Sequence, residues 1–156
     1  MDPYNADAAR AVWARVTGAA GDEGDDQAAL LAMIADALAA RAAYAALSMR
    51  AGGQTGSRLR AIARDEERNA RELSALYFAR TGERAKPEAK SPELPADYAA
   101  ALRERYADEV KSAANFTRAA EADFAARALF SRIAAEELRH SEALLQLLSL
   151  CLARPL

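Results

Sequence analysis

The sequence is poor in the residues that build several common classes of protein. Its 156 residues include one cysteine, one histidine, one tryptophan, 7 glycines and 5 prolines, and aromatic residues make up 6% of the chain. A single cysteine excludes an intramolecular disulfide and any metal site held by paired cysteines, such as a rubredoxin-type iron centre. Few aromatic residues and many alanines disfavour a β-sandwich or barrel and favour helices.

The sequence also lacks an excess of one charge and a long uninterrupted apolar run. The 21 basic and 23 acidic residues give a net charge of -2, which predicts no nucleic-acid partner. The most apolar stretch, 28–47, is interrupted by Asp36 and Arg41, so we expect no membrane span. Residues 1–5 have neither a basic nor an apolar character, so we expect no signal peptide and a cytoplasmic location.

Helical periodicity is present along most of the chain, which predicts an all-α protein. A short helix is predicted at 6–16, with Val12, Trp13 and Val16 on one side, followed by a loop at 19–26 that is rich in glycine and aspartate. We expect 1–26 to be an N-terminal addition and 27–153 to be a four-helix bundle. Its helices are predicted at about 27–50, 57–80 (with Ser57 as N-cap), 96–120 and 123–153, with a proline-rich linker at 82–95.

The lengths of the connections predict the topology of the bundle. The first two long helices are joined by a few residues, as are the last two, so each pair forms an antiparallel hairpin. The linker of about 14 residues reaches about 46 Å when extended, whereas a 24-residue helix is about 36 Å long. The linker can therefore return along the whole bundle, so that the third long helix runs parallel to the second.

Polar residues interrupt the apolar seams of three helices. The second long helix has Glu66 and Asn69 in mid-seam, the third has Glu109, and the fourth has Glu137 and His140. The two halves of the chain also align: 37–44 matches 109–116, and 62–69 matches 133–140. An internal duplication explains both matches and predicts that the polar positions of the two hairpins lie at one level of the bundle.

These spacings resemble the ferritin-like superfamily, and within it the rubrerythrin-like branch. The family pattern has a Glu seven residues before a Tyr or Phe on the first helix of each hairpin, and Glu-x-x-His on the second. The second hairpin keeps this pattern with Glu109 before Phe116 and with Glu137 and His140. The first hairpin departs from it: Ala37 replaces the Glu before Tyr44, and Asn69 replaces the His.

The resemblance implies a degenerate metal centre. In the family, two metal ions share two bridging carboxylates, and each ion also has a terminal Glu and a His. Glu66 and Glu137 match the bridges, and Glu109 and His140 match the terminal ligands of one ion. The other ion would need Ala37, which has no donor atom, and Asn69, a weaker ligand than imidazole. We therefore expect at most one Fe or Mn ion, bound by Glu66, Glu109, Glu137 and His140.

With one ion instead of two, this chain is not expected to catalyse the reactions of the family. The oxidase and peroxidase reactions of the family use two irons, and the electron-transfer domain of rubrerythrins needs the cysteine pairs that this chain lacks. We therefore expect no catalytic residues and a binding protein rather than an enzyme. An enzyme would be a di-iron oxidoreductase, with Asn69 and a water completing the second site.

Alternatives without metal also follow from the sequence. The three glutamates can be protonated, or neutralised by Arg41, in a metal-free polar core, or the bundle can be splayed so that they face water. Such a protein would be a helical interaction module, and the apolar residues near Trp13 are compatible with a homodimer. Tyr44 and Tyr106 can each bond a ligand carboxylate or fill the core, and core filling is favoured for both.

Overall fold

The computed structural model describes residues 23–153, and over this range the protein is built of α-helices with no strand. The four helices are α1 (Glu23–Ala51), α2 (Gly53–Thr81), α3 (Tyr98–Ala122) and α4 (Arg127–Leu152). The all-α, four-helix prediction is therefore confirmed. The predicted short helix with Val12, Trp13 and Val16 lies outside the described residues, and the domain division at residue 26 stays a prediction.

The predicted loop at 19–26 is wrong in its last four residues, because α1 already begins at Glu23. Glu23, Asp25 and Asp26 fall in the first turn of this helix. Carboxylates are favourable there, since they face the unpaired N–H groups and the positive end of the helix dipole. The acidic residues that led us to predict a loop are therefore equally suited to the start of a helix.

The turn between α1 and α2 is tighter than predicted. Gly52 and Gly53 have φ values of 64° and 51°, a region that glycine enters without strain, so the chain reverses within two residues. The predicted N-cap at Ser57 is wrong, since α2 begins at Gly53. Gly56 explains the closeness of the two helices: a Cβ atom at this position would lie 2.8 Å from the carbonyl oxygen of Ser48.

The turn between α3 and α4 is longer than predicted. α4 begins at Arg127 rather than at residue 123. Asp123 ends α3, where its N–H bonds the carbonyl of Ala119, and its carboxylate accepts a hydrogen bond of 3.0 Å from the N–H of Ala126. Because the side chain of Asp123 bonds the backbone of the turn, residues 123–126 form a turn rather than a further turn of helix.

The linker between the hairpins runs along α1. Lys90 pairs with Asp36 in the middle of α1 at 2.5 Å, and the carbonyl of Pro95 accepts a hydrogen bond of 2.7 Å from Arg50 in the last turn of α1. The linker thus returns from the end of α2 to the level at which α2 began. α3 therefore runs parallel to α2, as the connection lengths predict.

The core consists of two apolar clusters with a polar layer between them. The first apolar cluster includes Leu30, Ile34, Leu73, Tyr77, Phe116, Phe130 and Ile133. The second apolar cluster includes Tyr44, Leu47, Leu59, Ile62, Leu102, Leu144 and Leu147. Each large apolar side chain contributes about 1.5–3 kcal/mol by its burial, so the clusters hold the polar layer in place from both sides.

α1 is the most apolar helix of the described part of the chain. Its segment Gly24–Ala51 is long and apolar enough to cross a membrane, and a window of 18 residues within it has a mean hydropathy of 1.6. The core helix of a soluble protein meets the same criterion, and α1 buries Leu30, Ile34 and Leu47 against the other helices. The expected absence of a membrane span and the cytoplasmic location stay predictions.

Candidate metal centre

The polar layer is formed by five side chains from three helices. Glu66 and Asn69 come from α2, Glu109 from α3, and Glu137 and His140 from α4, and each is at most 5% exposed. The i, i+3 spacing within α2 and within α4 places both members of each pair on the inner face of the helix. The structure thus places all four predicted ligands together in the core, and the splayed, water-facing alternative is wrong.

The four predicted ligands converge on one point. Glu66, Glu109, Glu137 and His140 each offer one donor atom, and these atoms all lie within 4.8 Å of one another. Nδ1 of His140 lies 3.2 Å from Oε1 of Glu66 and 3.3 Å from Oε2 of Glu109. An ion about 2.0–2.2 Å from each donor would hold opposite donors about 4.2 Å apart, so donors within 4.8 Å of one another need to close by at most about 0.6 Å.

The converging atoms are not satisfied by hydrogen bonds. Oε1 of Glu66, Oε2 of Glu109 and Nδ1 of His140 are buried without a hydrogen-bond partner. They are close to one another, but their angles do not give well-formed hydrogen bonds. Unsatisfied buried polar atoms are costly, and three that face the same point are the arrangement that a cation would satisfy at once.

Burial and mutual repulsion shift the protonation of the cluster. Burial, reinforced by repulsion from Glu66 and Glu109, raises the pKa of Glu137 to about 9. Burial also raises the pKa of Glu66 to about 7, against the effect of His140. Burial alone would lower the pKa of His140, but the carboxylates of Glu109 and Glu66 outweigh it and raise this pKa to about 11. Without a metal, protons therefore compensate the buried carboxylates at neutral pH.

His140 is oriented by a residue that the sequence analysis did not single out. Its Nε2 lies 3.3 Å from Oδ2 of Asp65, which leaves Nδ1 directed at the cluster. Arg68 holds Asp65 at 2.8 Å and Glu136 at 2.9 Å, so it ties the orienting carboxylate to α4. A carboxylate that accepts the second N–H of an imidazole fixes both the tautomer and the ring orientation of a metal-binding histidine.

Tyr44 has a polar role rather than only an apolar one. Its hydroxyl, fully buried, donates a short hydrogen bond to Oε1 of Glu109. This leaves Oε2 of Glu109 for the cluster, so Tyr44 fixes which oxygen faces the centre. Burial, followed by the charge of Glu109, raises the pKa of Tyr44 well above its ordinary value, so the phenol remains protonated. Tyr106 is 37% exposed and has neither predicted role.

The first hairpin offers little to a second ion. Ala37 is buried and brings no donor atom to the layer. Oδ1 of Asn69 lies 3.4 Å from Nη1 of Arg132, and its Nδ2 is buried without a partner. Arg132 thus occupies the oxygen that could bind an ion and leaves a donor facing inward. Arg41 does not neutralise the cluster, since it is half-exposed and lies 3.9 Å from Glu67.

A cavity of about 240 Å³ adjoins the polar layer on the side of Ala37. It extends from Glu66, Glu109 and Glu137 past Ala37 and Ala40 to residues at the surface, including Asp36, Asp108 and Lys111. The cavity therefore leads from the surface to the three glutamates of the buried cluster.

Sequence reasoning found the four converging residues and missed those that orient them. Asp65 and Arg68 lie in a charged stretch of α2 that is typical of a solvated helix face, so no sequence signal distinguished them. Comparisons with protein families, with curated proteins and with solved structures found no match.

Proposed function

We propose that this protein belongs to the ferritin-like superfamily, as a rubrerythrin-like member with a degenerate centre, and that it binds one divalent metal ion, Fe or Mn, through Glu66, Glu109, Glu137 and His140. The observation that carries this proposal is the convergence of these four buried donors within 4.8 Å, three of them on atoms with no hydrogen-bond partner.

The donor set supports an ion of this kind. Carboxylates suit Mn and imidazole suits Fe, so three carboxylates and one imidazole form a mixed set for first-row divalent ions. The proton arrangement supports it as well. At neutral pH the metal-free cluster carries a proton on His140, one on Glu137 and about half a proton on Glu66, and a divalent ion would supply most of this positive charge instead.

The stoichiometry of one ion rests on the first hairpin. Ala37 provides no donor atom, and the amide oxygen of Asn69 is directed at Arg132. The two-electron chemistry of a di-metal centre therefore has no second ion here, so we propose a metal-binding protein with no catalytic residues. The long linker along α1 and the Glu-x-x-His spacing in α4 support the ferritin-like assignment.

Elemental analysis tests this proposal on protein purified without affinity tags or chelators and then exposed to Mn²⁺ or Fe²⁺. We expect about one ion per chain, and close to none in His140→Ala. The exposed Glu142, two residues further along α4, provides the control Glu142→Ala, which should bind as the wild type does. A wild-type protein that takes up no metal, or a His140→Ala variant that keeps a full ion, would refute the proposed site.

A specific observation also favours a second candidate, an interaction module. Leu138, Leu145 and Leu152 repeat every seven residues on α4, and each is at least 50% exposed. A repeat of seven places them on one face of the helix, where a second copy of the chain could pack. This candidate predicts a dimer that survives a chelator, measurable by analytical ultracentrifugation, and a strict monomer would count against it.

A further inference from the structure

Two residues that line the cavity beside Ala37 each have a buried hydrogen-bond donor without a partner. Nδ2 of Asn69 is one, on a side chain that is 1% exposed. Nε of Arg105 is the other. Both residues line the same cavity as Glu66, Glu109 and Glu137. Unpaired buried donors next to an open space indicate a ligand that brings acceptor atoms.

The orientation of each donor is fixed by a neighbour. Nη1 of Arg132 lies 3.4 Å from Oδ1 of Asn69, so the oxygen of this amide is engaged and its Nδ2 is the atom left for a ligand. The terminal nitrogen Nη2 of Arg105 is paired with Asp108, which leaves the Nε–H of the same guanidinium free. The positive charge of Arg105 is close enough to the polar layer to affect Tyr44, whose pKa it lowers against the effect of burial.

The cavity also has the size and position for a small molecule. Its volume of about 240 Å³ corresponds to about eight water molecules. Alanines at 37 and 40 create the space on the α1 side, where a longer side chain would fill it. An ion held by Glu66, Glu109, Glu137 and His140 would adjoin this cavity, because the three glutamates also line it.

We propose that the cavity beside Ala37 is a binding site for a small carboxylate, whose oxygens accept hydrogen bonds from Asn69 and Arg105 next to the metal ion. The inference rests on the proposed metal site, because the ion would give the carboxylate oxygens a cation to coordinate beside the two donors. The ligand thus occupies the side of the layer on which Ala37 and Asn69 leave no second ion.

The test uses ¹³C-labelled acetate as the probe and acetamide, its uncharged analogue, as the comparison. Acetate is titrated into protein loaded with Mn²⁺, and the relaxation of its ¹³C signal is measured, because the paramagnetic ion broadens the signal of a nucleus held a few ångströms away. We expect saturable broadening with acetate and at least about tenfold weaker binding of acetamide, since hydrogen bonds to a charged partner are the stronger ones.

Matched variants assign the site. Asn69→Ala and Arg105→Lys should each weaken acetate binding by about tenfold. The lysine keeps the charge but cannot place an N–H at Nε. Ala37→Leu should abolish binding by filling the cavity, and all of these variants should retain one Mn²⁺ per chain. Arg103→Leu changes an exposed arginine on the same helix and should have no effect.

The metal content of each sample separates the two proposals. Protein that holds one Mn²⁺ but shows no saturable acetate broadening, or equal broadening by acetate and acetamide, overturns the carboxylate site and leaves the metal site standing. Acetate binding that is unchanged in Ala37→Leu overturns the assigned location. Protein that takes up neither Mn²⁺ nor Fe²⁺ overturns both the metal site and the carboxylate site.

Discussion

Glu137→Gln separates the metal-free and the metal-bound state of the polar layer. Because the pKa of Glu137 is raised to about 9, this carboxyl is protonated at pH 7 in the metal-free protein. Glutamine has nearly the same shape as a protonated glutamate, and its amide can still donate a hydrogen bond to Glu109. We therefore expect the metal-free variant to unfold within about 1 kcal/mol of the wild type.

The metal-dependent stabilisation should behave differently. At a free ion concentration of 100 times Kd, an ion that binds only the folded state adds about 2.7 kcal/mol, or about 5–11 °C in Tm for a chain of this size. If the loss of one carboxylate weakens binding by about 100-fold, the remaining gain is about 0.4 kcal/mol, or about 1–2 °C. Glu137→Gln should thus abolish most of the metal response and leave the metal-free stability unchanged.

Differential scanning calorimetry at pH 7, with and without Mn²⁺, measures both quantities. Glu142→Gln is the matched control, since Glu142 is exposed on the same helix, and it should keep the full metal-dependent shift. A Glu137→Gln variant with a full metal-dependent shift would refute the role of Glu137 as a ligand. A large loss of stability without metal would refute the argument that Glu137 is protonated there.

Four further predictions concern the same layer. Because the pKa values of Glu137 and His140 are raised in the folded protein, the metal-free protein loses stability as the pH rises. The loss begins above the ordinary pKa of each group, 4.5 for Glu137 and 6.5 for His140, and is complete above the folded-state values of about 9 and about 11. Both groups therefore lower the Tm without metal between pH 6.5 and 9, where the metal-induced gain should grow, as pH-dependent calorimetry can show. Metal binding at pH 7 should accordingly release about two to three protons per ion, from His140, Glu137 and in part Glu66. Titration calorimetry in buffers of different ionisation enthalpy measures this number, and no release would contradict the protonation described above. Asp65→Asn should weaken metal affinity about 10–100-fold by releasing the His140 ring, and unchanged affinity would show that Asp65 does not orient it. The double variant Ala37→Glu, Asn69→His should raise the metal content from about one to about two ions per chain, and a variant that stays at one would show that the alignment of the two halves is wrong.

Helix identity and the inner faces could be predicted from the sequence, because both follow from local periodicity. The seam that contains Glu66 and Asn69 and the seam that contains Glu137 and His140 repeat at helical spacing, and all four residues are buried as predicted. The internal duplication predicted the height of these positions along the bundle, because positions that align between the two halves lie in the same layer. Helix ends were less well predicted, because acidic residues such as Asp25 and Asp123 suit a turn, a cap or a first helical turn equally well.

The residues that orient the centre could not be predicted, because their roles depend on contacts between helices. Asp65 and Glu67 are neighbours in one charged stretch of α2, yet Asp65 contacts His140 on α4 whereas Glu67 faces Arg41 on α1. Similarly, Tyr44 bonds Glu109 on another helix, while Tyr106, on the same helix as Glu109, is turned outward. Helical spacing gives the face of a side chain, but the rotation and packing of two helices decide which atoms meet.

The sequence by itself thus determined the all-α class, the two hairpins with their long linker, and the group of Glu66, Glu109, Glu137 and His140. Apolar periodicity, connection length and repeat alignment can all be determined from the order of residues alone. Only the tertiary structure decided that these donors converge within 4.8 Å, that Arg41 stays outside, and that a cavity adjoins Ala37. Distances between residues far apart in sequence depend on how all four helices pack together, so local sequence patterns do not determine them.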